Sequence, residues 1–178
     1  MTKLVLLHKA GSIYDDEPDR VYDFPRAYLK AVQEGVGDWV VYYEPVKAGP
    51  RGYFAVAKIG GIIPKPGIEG RYLALIEPRS FLPFDDEVPR LLNGRPFEAA
   101  LAAADGTAKA GGAQQLAVRR LPEAEFAAIV RLGLPDDLER AEARRYDPVA
   151  AGMAEPIVPF ERPVIERLIS RPYLDVAF

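Results

Sequence analysis

Asp38-Trp39-Val40-Val41-Tyr42-Tyr43-Glu44-Pro45 is the stretch from which we predict the fold. Gly37 and Asp38 interrupt the helix-like pattern before it, residues 39 to 43 are all β-branched or aromatic, and Pro45 has no amide proton for further pairing. Because side chains alternate along a strand, Trp39 and Tyr43 should face one side of a sheet and Tyr42 the other. The strand therefore predicts either core packing or one wall of a pocket for a flat ring.

The sequence on either side of this strand predicts a mixed α+β domain. Apolar runs predict strands over 4–7, 39–44, 53–63, 71–76 and 114–121, with a bulge or bend at Gly60-Gly61. Helical spacing predicts helices over 25–34, 97–104, 122–132 and 164–170, and polar segments predict loops over 11–23, 77–89 and 105–113. Residues 39–44 and 53–63 should form a hairpin. With few helices between strands, we expect a small, partly open β-barrel with helices on its flank.

Composition narrows the classes of function. The 178 residues contain no cysteine and one histidine, His8, which excludes disulfides, thiolate chemistry and histidine-rich zinc or nuclease centres. No nucleotide-binding glycine loop or nucleophile elbow occurs, so we expect no cofactor, no metal site and no catalysis by this chain. No apolar run has the length of a membrane span and no signal-peptide pattern opens the chain, so we expect no membrane partner and a cytoplasmic location.

Charge and composition divide the chain in two. Residues 1–135 carry 17 basic and 17 acidic side chains, whereas residues 136–178 carry 6 and 9. We therefore expect a folded domain over 1–135, followed by an acidic helical and extended arm over 136–178. A neutral domain does not bind polyanions through bulk charge, although it can present a basic face.

Aromatic residues concentrate in the first third of the chain, close to the paired acids Asp15 and Asp16. Adjacent acids in a loop are usually solvated, and aromatic clusters are usually core. Tyrosine is nevertheless costly to bury without a partner for its hydroxyl, and rings beside an Asp or Ser are typical of sites that hold an unpaired base.

Four segments resemble the N-terminal recognition domain of bacterial HNH-type, modification-dependent restriction endonucleases. They are Ser12-Ile13-Tyr14-Asp15-Asp16, Tyr22-x-Phe24-Pro25-x-x-Tyr28-Leu29, residues 37–45 and Tyr53-Phe54-Ala55-Val56-Ala57-Lys58. That resemblance covers about residues 3–134 and implies a PUA-like fold, the class that includes the SRA and EVE readers of modified bases. The run from Val164 to Phe178 resembles the segment that leads into the HNH nuclease domain, so we expect a fragment that lacks its nuclease.

The resemblance implies that modified double-stranded DNA is the partner, with 5-methyl- or 5-hydroxymethylcytosine extruded into an aromatic pocket. The pocket residues that it implies are Ser12, Tyr14, Asp15, Asp16, Trp39, Tyr42 and Tyr43. Further candidate contacts to nucleic acid are His8, Lys109, Gln114, Gln115, Arg119 and Arg120. Arg119 and Arg120 are adjacent on a predicted strand, so at most one of them would face the ligand.

Two other functions stay open at this point. The same fold could bind RNA or a modified nucleotide without a nuclease, and the aromatic residues could instead be the core of a protein-interaction module. A homodimer is also left open. Binding competition between modified DNA, unmodified DNA and RNA distinguishes these functions.

Overall fold

The structure is a computed structural model that describes residues 2–9, 16–45, 52–137 and 164–174. Its described part is α+β, as predicted, with one large mixed sheet and a few helices. The strands are β1 Lys3–Leu7, β2 Val21–Pro25, β3 Trp39–Tyr43, β4 Tyr53–Pro64, β5 Arg71–Ile76, β6 Leu82–Val88, β7 Leu91–Leu92, β8 Arg95–Pro96 and β9 Val118–Leu121. The helices are α1 Leu29–Glu34, α2 Glu123–Gly133, α3 Ile165–Leu168 and α4 Arg171–Leu174.

Seven strands form the sheet in the order β2-β5-β4-β3-β1-β9, with β6 also paired to β4. β1 and β3 are parallel, and the other pairs are antiparallel, including the predicted hairpin of β3 and β4. The register of β4 shifts between Ile59 and Gly61, in agreement with the bulge or bend predicted at the two glycines. Its first half pairs with β3 and β6, and its second half pairs with β5.

The sheet separates two apolar clusters, as the alternation in β3 predicts. Val41 and Tyr43 belong to the cluster covered by α2, α3 and α4, and Trp39 packs against that cluster. Val40 and Tyr42 belong to the cluster on the other face, where residues of α1, β2 and β5 complete the core. Since both faces of β3 are covered, its five residues form a continuous apolar run.

The edges of the sheet are β2 and β9, which are not joined by backbone pairing. Among the described strands no ladder connects them, so the sheet does not close into a barrel. The Tyr22 side chain links the two edges: its hydroxyl on β2 lies 2.9 Å from the Leu7 carbonyl oxygen and 2.7 Å from the Ala117 carbonyl oxygen. One phenolic proton serves two acceptors, so the hydroxyl donates to one of them at a time.

Several predicted elements differ from the structure. The predicted loop over 77–89 was wrong for residues 82–88, which form β6; Phe84 and Val88 are buried while Asp85 and Glu87 are exposed. The predicted loop over 11–23 was wrong at its end, where β2 begins at Val21. The helix predicted over 97–104 is only a 3₁₀ turn, Ala99–Leu101. Of the predicted arm, residues 138–163 and 175–178 lie outside the described residues.

Candidate functional site

A slot opens where the two edges of the sheet approach each other. It has a cavity volume of about 290 Å³, at the low end of the roughly 300–1,000 Å³ typical of ligand pockets. One side is formed by Leu7 at the end of β1, by Lys9 after it, and by Gln115 and Ala117, which precede β9. The other side is formed by Asp16, Tyr22, Asp23, Pro25, Tyr28 and Arg71, which lie in or near β2 and β5. We call these ten residues the edge slot.

Tyr22 connects the two sides of the edge slot through its hydroxyl group. Its side chain is 2% exposed, and its hydroxyl reaches the carbonyl oxygens of Leu7 and Ala117 across the gap. Burial raises the pKa of Tyr22 well above its ordinary value, and the negative charge of Asp16 raises it further. The phenol therefore keeps its proton and remains a hydrogen-bond donor.

Asp16 places a carboxyl group in the edge slot. Its Oδ1 accepts a hydrogen bond from the Asp23 backbone N–H at 2.8 Å. Burial raises the pKa of Asp16 to about 6, because desolvation of the carboxylate outweighs that hydrogen bond and the positive charges of Arg71 and Lys65. Around neutral pH this group therefore exchanges between a neutral acid and a carboxylate, two forms with different hydrogen-bonding capacity.

Beside Asp16, the Asp23 carboxylate has no exposed surface and binds two cations. Lys65 Nζ lies 2.6 Å from its Oδ2 and Arg71 Nε lies 2.8 Å from its Oδ1. Burial alone would raise the pKa of Asp23, but the hydrogen bonds from Lys65 and Arg71 hold it below the ordinary value. This ion cluster carries a net positive charge and orients the Arg71 side chain that lines the edge slot.

The residues predicted for the pocket have three outcomes. Asp16 lines the edge slot, and so does Gln115 from the set of predicted nucleic-acid contacts. Ser12, Tyr14 and Asp15 lie outside the described residues, on the segment that precedes Asp16. The rings of Trp39, Tyr42 and Tyr43 do not line the edge slot.

Tyr42 and Tyr43 lie on opposite faces of the sheet, so they cannot enclose one ligand. Tyr42 is fully buried, with its ring centroid 5.9 Å from that of Phe54 and 6.4 Å from that of Tyr22. Tyr43 is 2% exposed, and its ring lies 5.2 Å from that of Tyr53. Both rings are packed as core.

The buried carboxylate of Glu98 binds Arg119, one of the predicted phosphate contacts. Arg119 Nε and Nη2 each lie 2.7 Å from a Glu98 oxygen, and the Tyr53 hydroxyl also lies 2.7 Å from Glu98 Oε1. The guanidinium sits 5.2 Å from the centre of the Tyr43 ring. Desolvation alone would lower the pKa of Arg119, but the hydrogen bonds to Glu98 raise it above its ordinary value, so the guanidinium keeps its charge. Arg119 is thus placed in the interior and not at a nucleic-acid surface.

The remaining predicted contacts are dispersed. Arg120 faces the opposite way from Arg119 and pairs with Glu34 at 2.7 Å on the surface. Lys109 Nζ donates to the Ala100 carbonyl oxygen at 3.0 Å. The His8 ring packs 5.9 Å from Phe54, and the backbone oxygen of Gln114 accepts a hydrogen bond from Arg119. None of these four predicted contacts lines the edge slot.

Sequence reasoning did not assign several side chains of the edge slot to a ligand site. Tyr22 and Tyr28 belong to the early aromatic group, but nothing in their local pattern indicates that β2 is an edge strand. Lys9, Asp23 and Arg71 come together only through the pairing of β2 with β5 and the approach of β1. The alternation of Tyr22 and Phe24 was the available signal for a strand at this position.

No group of three or more potential metal ligands occurs among the described residues. Within the same part of the chain, no helix is both long and apolar enough to cross a membrane. Comparison with protein-family models, with curated proteins and with solved structures found no match to this chain.

Proposed function

We propose that this chain is a recognition domain for a modified base in double-stranded DNA, with the edge slot as the base-binding pocket. The observation that carries this proposal is the composition of the slot. Apolar and aromatic surface from Pro25 and Tyr28 lies beside two polar side chains, Asp16 and Gln115, that approach from different sheet edges. Flat heterocycles are recognised by a stacking surface together with polar groups that contact the ring edge.

The base in this proposal is 5-methyl- or 5-hydroxymethylcytosine, extruded from the duplex. Extrusion costs a few kcal/mol, and stacking on an aromatic ring returns about 1–3 kcal/mol per base. The carboxyl of Asp16 and the amide of Gln115 can both donate and accept hydrogen bonds, as the cytosine edge requires. The charged groups Lys9 and Arg71, in the same slot, add attraction to the adjacent phosphates.

The architecture is compatible with the PUA-like class in this proposal. The register of β4 shifts between Ile59 and Gly61, and the Tyr22 hydroxyl on β2 reaches the carbonyl oxygens of Leu7 and Ala117 on the other side of the open sheet. In this view residues 1–135 are the recognition domain and residues 136–178 lead into an HNH nuclease domain, which would perform cleavage. The chain itself would bind and would not cut DNA.

The test is binding of the full chain to short duplexes that differ at one central cytosine: unmodified, 5-methylated or 5-hydroxymethylated. A matched RNA duplex is included, because tighter binding to RNA would indicate an RNA-binding module and not a reader of modified DNA. We expect one modified duplex to bind at least tenfold more tightly than the unmodified one, because a methyl group in an apolar niche gives about 1–3 kcal/mol. Equal affinity for all duplexes would contradict the proposal.

The location of the site is tested with two matched tyrosine variants. Tyr28→Ala removes the aromatic surface of the edge slot and should weaken binding about 5- to 150-fold, the range expected for one lost stacking contact. Tyr173→Ala, on the far side of the sheet against the other apolar cluster, should leave affinity unchanged in folded protein. Equal effects of the two variants would place the ligand elsewhere.

A protein-interaction module is the second candidate function. Ile63, Ile68 and Leu75 are 40%, 48% and 37% exposed, and they lie together on or beside the β4–β5 hairpin. Large apolar side chains exposed close together are typical of docking surfaces. This function predicts that no nucleic acid changes the melting temperature and that substitution of Ile63 by Thr leaves stability intact.

A further inference from the structure

The Asp16 carboxyl is bound to the backbone of β2 through one oxygen. Oδ1 accepts the Asp23 N–H, whereas Oδ2 accepts no hydrogen bond within the part of the chain that the structure describes. A carboxyl oxygen has two lone pairs, so Oδ1 can accept a second hydrogen bond from a ligand. One side of this carboxyl is therefore fixed by the β2 backbone while the other can adapt to a ring edge.

Charged and titratable groups act on Asp16 from several elements. Asp23 on β2 raises its pKa, and Arg71 on β5 and Lys65 after β4 lower it. Both cations are bound to the Asp23 carboxylate, so their effect on Asp16 is reduced. Lys9 after β1, Gln115 before β9, and Tyr22 and Tyr28 are the other polar residues that line the slot. Desolvation therefore remains the largest influence on the pKa of Asp16, and the neutral carboxylic acid is populated near physiological pH.

Cytosine presents two adjacent groups on its pairing edge: the N4 amino group, a donor, and N3, an acceptor. A carboxylate accepts from N4–H, but its second oxygen then directs a lone pair at the N3 lone pair, which is repulsive. One proton between Oδ2 and N3 converts that repulsion into a hydrogen bond. A carboxylic acid thus matches this edge through two bonds, O–H donating to N3 and N4–H donating to Oδ1.

We propose that Asp16 reads the N3–N4 edge of the cytosine as a neutral carboxylic acid, so that binding takes up one proton from solution. This inference rests on the proposed function and adds a requirement that the slot imposes on its ligand. The proton comes from water or buffer and is shared between Asp16 Oδ2 and ring N3; no covalent bond to carbon changes. Affinity for modified DNA is then linked to pH through one identified side chain.

The direction in which affinity changes with pH follows from the protonation state of Asp16 in the free protein. Below about pH 6 the carboxyl is already neutral, so binding takes up little further proton and affinity is nearly constant. Above that pH the free protein has lost the proton that the complex holds, so affinity falls by up to tenfold for each pH unit. Methylation at C5 leaves this edge unchanged and should not alter the slope.

The experiment measures the affinity of the full chain for a duplex with one 5-methylcytosine from pH 5.5 to 8. Calorimetry at pH 8 in two buffers with different ionisation enthalpies gives the number of protons taken up. We expect a tenfold loss of affinity between pH 7 and pH 8 and an uptake close to one proton. Tight binding with a flat profile and no proton uptake would overturn the inference and leave the proposed function standing. No binding of any duplex at any pH would overturn both.

Two substitutions at Asp16 distinguish the loss of its proton from the loss of its hydrogen-bonding groups. Asp16→Asn supplies an N–H to donate to N3 and an oxygen to accept from N4–H at all pH values, so binding should persist with a flat profile and no proton uptake. Asp16→Ala has neither group and should weaken binding at every pH. His8→Gln, which removes the single imidazole, should retain the wild-type profile. A steep profile in Asp16→Asn would assign the proton to another group and refute the role of Asp16.

Discussion

Replacing Arg119 by Met should leave the Glu98 carboxylate buried without its cation. The side chains of the pair are 6% and 2% exposed, and two 2.7 Å hydrogen bonds join them, so solvent cannot replace the lost partner. Breaking a buried pair from one side typically costs about 3–5 kcal/mol. We expect a loss of that size in the free energy of unfolding, which is a large fraction of the about 5–15 kcal/mol of a typical domain.

A double-mutant cycle tests the origin of this loss. Glu98→Leu should also destabilise, although less, because carbonyl oxygens of Gln114 and Leu116 still accept from the guanidinium. The double variant should lie within about 2 kcal/mol of the wild type, since apolar replacements remove the uncompensated charge.

Urea unfolding followed by Trp39 fluorescence gives these free energies. Arg120→Met is the matched control, because the adjacent Arg120 has an equally short ion pair with Glu34 but lies at the surface. We expect no measurable loss in that variant. The reasoning fails if Arg119→Met and Arg120→Met destabilise equally, or if the two single losses simply add.

Three further outcomes are expected from unfolding experiments. Asp16→Asn should stabilise the protein above pH 6 by about 1–2 kcal/mol, after allowance for solvent screening, and have no effect below pH 4. The reason is that the pKa of Asp16 is about 6 in the folded protein and 3.8 ordinarily, so folding disfavours the carboxylate. An equal gain at all pH values would contradict this. Tyr22→Phe should lower the free energy of unfolding by about 0.5–1.5 kcal/mol through its lost hydrogen bond, and an unchanged melting temperature would argue against the link across the slot. Gly133→Ala should cost about 1–3 kcal/mol, since the new Cβ would lie 2.4 Å from the Phe84 ring, whereas Gly112→Ala, with no atom within 4 Å, is the control.

The central part of the fold was predictable because its signals are local. A β-branched and aromatic run ending at Pro45 predicts β3, and the two glycines predict the bend in β4. β6 is missed because the acidic run Asp85-Asp86-Glu87 indicates a turn, and all three acids are exposed in the strand between the buried Phe84 and Val88, so no alternation marks it. Local periodicity can indicate a strand, but it does not indicate which strand will pair with it, because pairing depends on the fold of the whole chain.

The candidate site was predictable only in part. The position of Asp16 after the first strand predicts a pocket residue, and Asp16 lines a slot. Tyr42 and Tyr43 are predicted to stack on a ligand, but each packs into a separate face of the sheet, and composition alone does not distinguish a buried ring from a ligand-stacking one. Arg119 is predicted to contact phosphate, and no local feature indicates that Glu98, 21 positions earlier, binds it in the interior.

The bent strand β4 has a consequence for how the molecule opens. Its 12 residues pair with β3 and β6 before the bend and with β5 after it, so one continuous backbone belongs to both halves of the sheet. Neither half can detach without distorting the backbone of β4 that continues directly into the other half, which favours a single cooperative transition. In native-state hydrogen exchange, the amides of Val56 and Ile59 should therefore exchange only through global unfolding, with the same dependence on urea.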